Sequence, residues 1–93
     1  MPSKVNASHI LVKTEQEANV AYYDVTHGKT FEEAAMKISL CPSKKNGGNL
    51  GWFGRGQMVK EFENAAFSMK KGEISRPVKT EFGWHLLKLN DLQ

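Results

Sequence analysis

The sequence predicts an α+β fold around one largely antiparallel sheet, and three observations carry that prediction. Two helix-start signatures, Thr14-Glu15-Gln16-Glu17 and Thr30-Phe31-Glu32-Glu33, follow each other closely in the first half of the chain. Strand-like apolar segments lie near both ends, Asn6 to Val12 and Trp84 to Asn90. Between them a glycine-rich stretch, Cys41 to Phe62, separates the paired helices from later, shorter elements. The resulting order, β-α-α-(short helix)-β-α-β-β, segregates helices from strands as α+β proteins do.

In the first segment Ala7, His9 and Leu11 fall on one face if the chain is extended, and Ser8, Ile10 and Val12 on the other, which reads as a strand with little exposed surface. Thr14 to Glu17 fits a capping box, in which side chains satisfy the free N–H groups of a helix start. Ala18, Ala21, Tyr22 and Val25 then form one helical stripe, and His27-Gly28 supplies the stop. The second box begins a helix with Phe31, Ala34, Ala35 and Ile38 inward, ending near Ser39 because a residue before proline leaves the helical region.

Pro42 to Asn46 can hold one short helical turn, broken by Gly47-Gly48. Leu50 to Phe53 reads as a glycine-weakened strand. Val59 to Ser68 is a third amphipathic helix with Phe62, Ala65, Ala66 and Met69 inward. Ile74 to Lys79 is a strand placed at a sheet edge by Pro77, which has no N–H to give. Thr80 to Gly83 turns the chain into the last strand, with His85, Leu87 and Leu89 on one face. No repeat or linker interrupts this order, so residues 1–93 are expected to form a single domain.

With 93 residues, 40% hydrophobic and 25% charged, the chain sits near the globular norm and can bury a core of its own. A lone cysteine excludes an internal disulfide. No apolar run approaches the ~20 residues of a membrane span, and Met1-Pro2-Ser3-Lys4 lacks a signal-peptide core, so a cytoplasmic protein is expected. The net charge of +3 is spread among interleaved Glu and Lys, and the expected reading is a solvated surface without specific nucleic-acid binding. Lys29, Lys37, Lys44 and Lys45 are the basic patch for which an anionic membrane surface or acidic partner is a candidate.

Two histidines, His9 and His85, stand inside apolar strands near opposite ends of the chain. Terminal strands are often neighbours, so the pair suggests facing imidazoles that fix each other's tautomer, with the Thr80 hydroxyl near. Cys41 is open to three readings: a nucleophile, a metal ligand or a small buried hydrophobe. One cysteine and three dispersed histidines show no zinc spacing, and no metal is expected. The glycines match neither phosphate-cradling pattern, and Gly51-Trp52-Phe53-Gly54 has aromatics where a nucleic-acid backbone clamp would favour small or basic residues. Leu50, Met58, Phe62 and Phe82 come from four elements that border the glycine-rich strand and the histidine strands. A pocket lined by a thioether and aromatic rings suits a compact saturated ring, and proline is such a ring.

Ser8-His9-Ile10-Leu11-Val12, Gly48 to Phe53, Gly56-Gln57-Met58-Val59, Phe62 to Phe67, Pro77-Val78 and Phe82-Gly83-Trp84-His85 together, in this order, resemble the parvulins, a family of peptidyl-prolyl cis/trans isomerases. The resemblance runs over residues 6 to 90, and the chain is similar to the short, single-domain parvulins of bacteria and archaea. It implies a four-stranded antiparallel sheet wrapped by about four helices, an FKBP-like arrangement, and an isomerase of X-Pro bonds that needs no cofactor. It further implies that His9, Cys41, Thr80 and His85 form the catalytic surroundings, that Leu50, Met58 and Phe62 hold the proline, and that Phe82 is a further wall. Phosphate-directed parvulins carry a basic cluster between the first strand and helix; here Lys13-Thr14 is followed by Glu15 and Glu17. They also tend to have serine where this chain has Phe82. The expected substrates are therefore proline-containing polypeptides with apolar or basic residues before proline, bound by a monomer without covalent chemistry. The rival expectation is a proline-binding or holdase module without turnover.

Overall fold

Thr14 and Thr30 start the first two helices by the same device. Each hydroxyl accepts a backbone N–H three residues on, from Glu17 at 3.2 Å and Glu33 at 3.1 Å, and donates to that residue's carboxylate. The computed structural model describes residues 3–93; the sequence reading of Met1 and Pro2 lies outside the described residues. In chain order the elements are β1 (Lys4–Val12), α1 (Glu15–Thr26), α2 (Phe31–Ile38), a 3-10 turn at Pro42–Asn46, β2 (Asn49–Gly54), α3 (Lys60–Ser68), β3 (Val78–Thr80) and β4 (Gly83–Leu92). The fold is thus α+β, with the expected short helix realised as the 3-10 turn.

The four strands form one antiparallel sheet in the order β2-β1-β4-β3. The two terminal strands are its centre, paired from Val5 with Leu92 through to Val12 with Trp84. Each face of this central pair is covered, which is why β1 carries so little polar surface. On one face Ile10, Val12 and Leu86 pack with Ala18, Ala21 and Val25 of α1 and Phe31, Ala34 and Ala35 of α2. On the other, Val5, Ala7, Leu87 and Leu89 pack with Phe53 and with Phe62, Ala66 and Phe67 of α3. Burial of this apolar surface is the main force holding the helices to the sheet.

Three local expectations are corrected. The strand expected over 74–79 is regular only at Val78–Thr80, because Pro77 cannot donate and the chain before it pairs irregularly. Ser75 compensates: its N–H donates to the Leu87 carbonyl at 2.8 Å, and its hydroxyl accepts the Leu87 N–H at 3.1 Å. In α3 Phe67, which the helical stripe omitted, is buried, whereas Ala65 and Met69 are half-buried. Ile38, at the end of α2, is 37% exposed and lies at the surface beside Glu17 and Val20 of α1.

Candidate active site

Adjacency of β1 and β4 brings His9 and His85 together from opposite ends of the chain. Their Nδ1 atoms lie 3.1 Å apart, and the rings are stacked with centroids 5.3 Å apart. His85 Nε2 is 2.7 Å from Thr80 Oγ1, which also accepts the N–H of Phe82 at 3.2 Å. One proton arrangement uses these contacts best: Thr80 donates to His85 Nε2, and His85 Nδ1–H donates to His9 Nδ1. That leaves the proton of His9 on Nε2, an atom without a hydrogen-bond partner among the described residues. Burial of both rings disfavours their charged forms. It holds His9 down at about 4, with the neighbouring His85 as a smaller cause, and lowers His85 as well. The pair is therefore uncharged at neutral pH.

Beside the pair opens a cavity of about 450 Å³. Phe62 stands edge-on to both imidazoles, its centroid 5.5 Å from His9 and 5.3 Å from His85. Leu50, Met58 and Cys41 complete the wall, and Phe82, 62% exposed, stands at the mouth. Of the residues singled out from the sequence, all but Thr80 line this cavity; Thr80 sits behind His85. Cys41 is a half-buried free thiol. The volume is ample for one five-membered ring with its flanking peptide groups, and the apolar wall with few polar atoms is typical of a small-ligand site.

The backbone around Cys41 explains its position. β2 pairs with β1 only as far as Ser8, and His9 N–H donates to Gly48 O at 2.9 Å. Beyond that point the Leu11 N–H has lost its strand partner, and the buried Ser39 hydroxyl accepts it at 3.1 Å. The same hydroxyl accepts the N–H of Cys41, and Leu40 N–H donates to Leu11 O. Ser39 thereby ties the Cys41 segment to the strand that carries His9.

Sequence reasoning missed Leu11, Gln57 and Val59, which also line the cavity. Strand alternation could have found Leu11, two residues from His9 on the same face. Gln57 and Val59 flank Met58 in an irregular loop, where no periodicity says which side chains turn inward. Ser39 had no signal at all, because its task depends on where β2 stops.

Residues 5–91 match the rotamase family model, described as the PPIC-type PPIASE domain. The chain is 51% identical over 89 residues to the foldase protein PrsA of Geobacillus kaustophilus, a match covering 95% of this chain and 32% of that protein. It superposes on the peptidylprolyl isomerase PrsA of Bacillus anthracis with a TM-score of 0.96 at 42% identity, covering 99% of this chain and 43% of that one. NmPin, the parvulin of Nitrosopumilus maritimus, superposes with a TM-score of 0.87 at 41% identity, covering 98% of this chain and 99% of that one. The chain thus spans about a third of the length of the curated relatives it matches.

Proposed function

Because the chain belongs to the PPIC-type peptidyl-prolyl isomerase domain family, we propose that the cavity beside His9 and His85 is where it turns X-Pro bonds between cis and trans. The domain is a peptidyl-prolyl cis/trans isomerase by that membership, and its relatives include proteins named as foldases. The observation that carries the siting is an uncharged imidazole pair set against an apolar cavity large enough for a proline ring and its flanking peptide groups.

The barrier is rotation about a partly double C–N bond, ~18–20 kcal/mol, and no bond is broken. A site that grips the ring and favours the twisted form over either planar form lowers that barrier by differential binding. Leu50, Met58 and Phe62 hold the pyrrolidine ring. His9, His85 and Thr80 present neutral dipoles to the rotating carbonyl, and Cys41 adds a polarisable wall without forming a covalent bond. With Phe82 at the mouth and exposed Glu15 and Glu17 opening α1, the residue before proline is apolar or basic and needs no phosphate.

Exchange NMR on a short proline peptide tests this reading. The protein should speed cis–trans exchange, Met58→Ala should lower that enhancement about tenfold, and Cys41→Ala should keep most of it. No enhancement by the unaltered protein would leave a proline-binding or holdase module; an unchanged Met58→Ala would remove the pocket assignment.

We further propose that residues 1–93 form one domain, acting as a monomer in the cytoplasm, with Lys29, Lys37, Lys44 and Lys45 making weak contact with an anionic surface or acidic partner. Among the described residues no helix is long and apolar enough to cross a membrane. Of these lysines Lys29 is near a carboxylate, 4.0 Å from Asp24. Attraction of this kind is screened by salt, so co-sedimentation with anionic liposomes that ignored ionic strength would argue against it.

A further inference from the structure

We propose that Glu63 is a positioning residue for the proline site, its carboxylate fixing the loop that carries Met58 against the helix that carries Phe62. The inference rests on the reading of the cavity given above and adds to it what sets the cavity's width.

The loop from Arg55 to Val59 joins β2 to α3, and three of its residues, Gln57, Met58 and Val59, face the cavity. Its last two residues, Met58 and Val59, pack on the cluster around Phe62, but the start of the loop has few other ties. No side chain caps the start of α3, and the hydrogen bond from Gly54 N–H to Gln57 Oε1, at 3.0 Å, closes the turn only on itself. Glu63 follows Phe62 directly in the first turn of α3, with its side chain only 13% exposed. Its two oxygens reach back to consecutive loop residues. Oε1 accepts the N–H of Gly56, and Oε2 pairs with Arg55 Nη1 at 3.1 Å. Arg55 in turn lays its guanidinium 4.5 Å over the ring of Phe67, one turn further along the same helix.

A carboxylate this far out of water needs both oxygens satisfied, and here one loop supplies both partners. Gly56 can turn its N–H to Glu63 because it sits at φ +88°, in the left-handed region open to glycine. The clamp therefore joins the two sides of the ring pocket: Met58 two residues beyond Gly56, and Phe62 one residue before Glu63. Neither Glu63 nor Arg55 lines the cavity, so each acts through Met58.

The variants Glu63→Ala, Glu63→Gln and Arg55→Ala separate the two halves of the clamp. In the folded protein, Glu63→Ala should raise the dissociation constant of a proline peptide about tenfold and leave the interconversion rate of the bound peptide within about twofold. Glu63→Gln, which keeps an oxygen for Gly56, and Arg55→Ala should each raise it about threefold. The Met58 methyl resonance should shift in all three, and that of Met36, on the far side of the sheet, should not. If Glu63→Ala does not fold, the other two variants decide. Folded variants with unaltered affinity and an unmoved Met58 resonance would overturn the proposal. An unaltered protein that binds the peptide without speeding its exchange would instead overturn the isomerase reading, and Glu63 would still stand or fall on the affinity and the Met58 shift.

Discussion

Gly48→Ala should destabilise the fold by about 3 kcal/mol or more, a large loss for a single added methyl group. Gly48 sits at φ +87°, where an L side chain is strained, and an added Cβ would lie 2.4 Å from the carbonyl oxygen of His9 and 3.1 Å from the Ala35 side chain. Neither neighbour can give way cheaply. The His9 carbonyl belongs to the central strand, and Gly48 is tied on both sides, its N–H to Ser43 O at 2.9 Å and its carbonyl to His9 N–H at 2.9 Å. The clash therefore moves either β1, with the imidazole it carries, or the segment that holds Cys41. Gly51→Ala is the natural control: φ is +74°, but nothing lies within 4 Å of the added carbon, so only backbone strain of about 1 kcal/mol remains. Urea unfolding of the two variants measures the difference. A Gly48→Ala protein as stable as Gly51→Ala would mean that close approach to β1 does not constrain the loop.

This position shows where the sequence was readable and where it was not. The glycine-rich stretch announced a constrained backbone, since glycine gathers where φ is positive or groups approach closely. What it approached was hidden, because His9 lies far away in sequence and only the sheet order makes it a neighbour. Capping at Thr14 and Thr30 was legible to the residue, since a cap is settled within four residues, although the Glu17 and Glu33 carboxylates take the threonine hydroxyls and not a second backbone N–H. The His9–His85 pairing was legible only through the inference that terminal strands meet; the 3.1 Å contact needed β1 and β4 to be central partners. Phe67 escaped because the stripe drawn on α3 followed Phe62, Ala65, Ala66 and Met69, while the helix also packs sideways on Phe53. Leu50, Met58 and Phe62 stood out by residue type and converge as expected. The clamp of Glu63 on Gly56 and Arg55 did not, because a glutamate in the first turn of a helix already has an ordinary explanation in the helix dipole.

The buried imidazole pair sets the second large effect, a loss of stability in mild acid that neutral conditions conceal. In the unfolded chain His9 takes up a proton near its ordinary value of 6.5; in the folded protein burial, helped by His85, delays uptake to about 4. Above about 6.5 neither state is protonated, and the ring costs nothing. As pH falls below that value the unfolded state binds the proton and the folded state does not, so unfolding becomes more favourable. The loss grows down to about pH 4 and reaches about 3 kcal/mol, with His85, lowered by burial, adding in the same direction. Urea midpoints followed across this range should fall, and the slope should shrink in His9→Phe even though that variant starts from a different stability. A midpoint that stays flat, or a His9 ring that titrates near 6.5 in the folded protein by NMR, would contradict the buried neutral pair. Isomerase activity gives an independent reading. A proton taken up by His9 goes to Nδ1 and breaks its contact with His85, while one taken up by His85 goes to Nε2 and displaces the Thr80 hydroxyl hydrogen. Either places a charge beside Phe62. Exchange enhancement by the folded protein should therefore persist while stability is falling and fade only as the folded site takes up its own proton, at about pH 4 for His9.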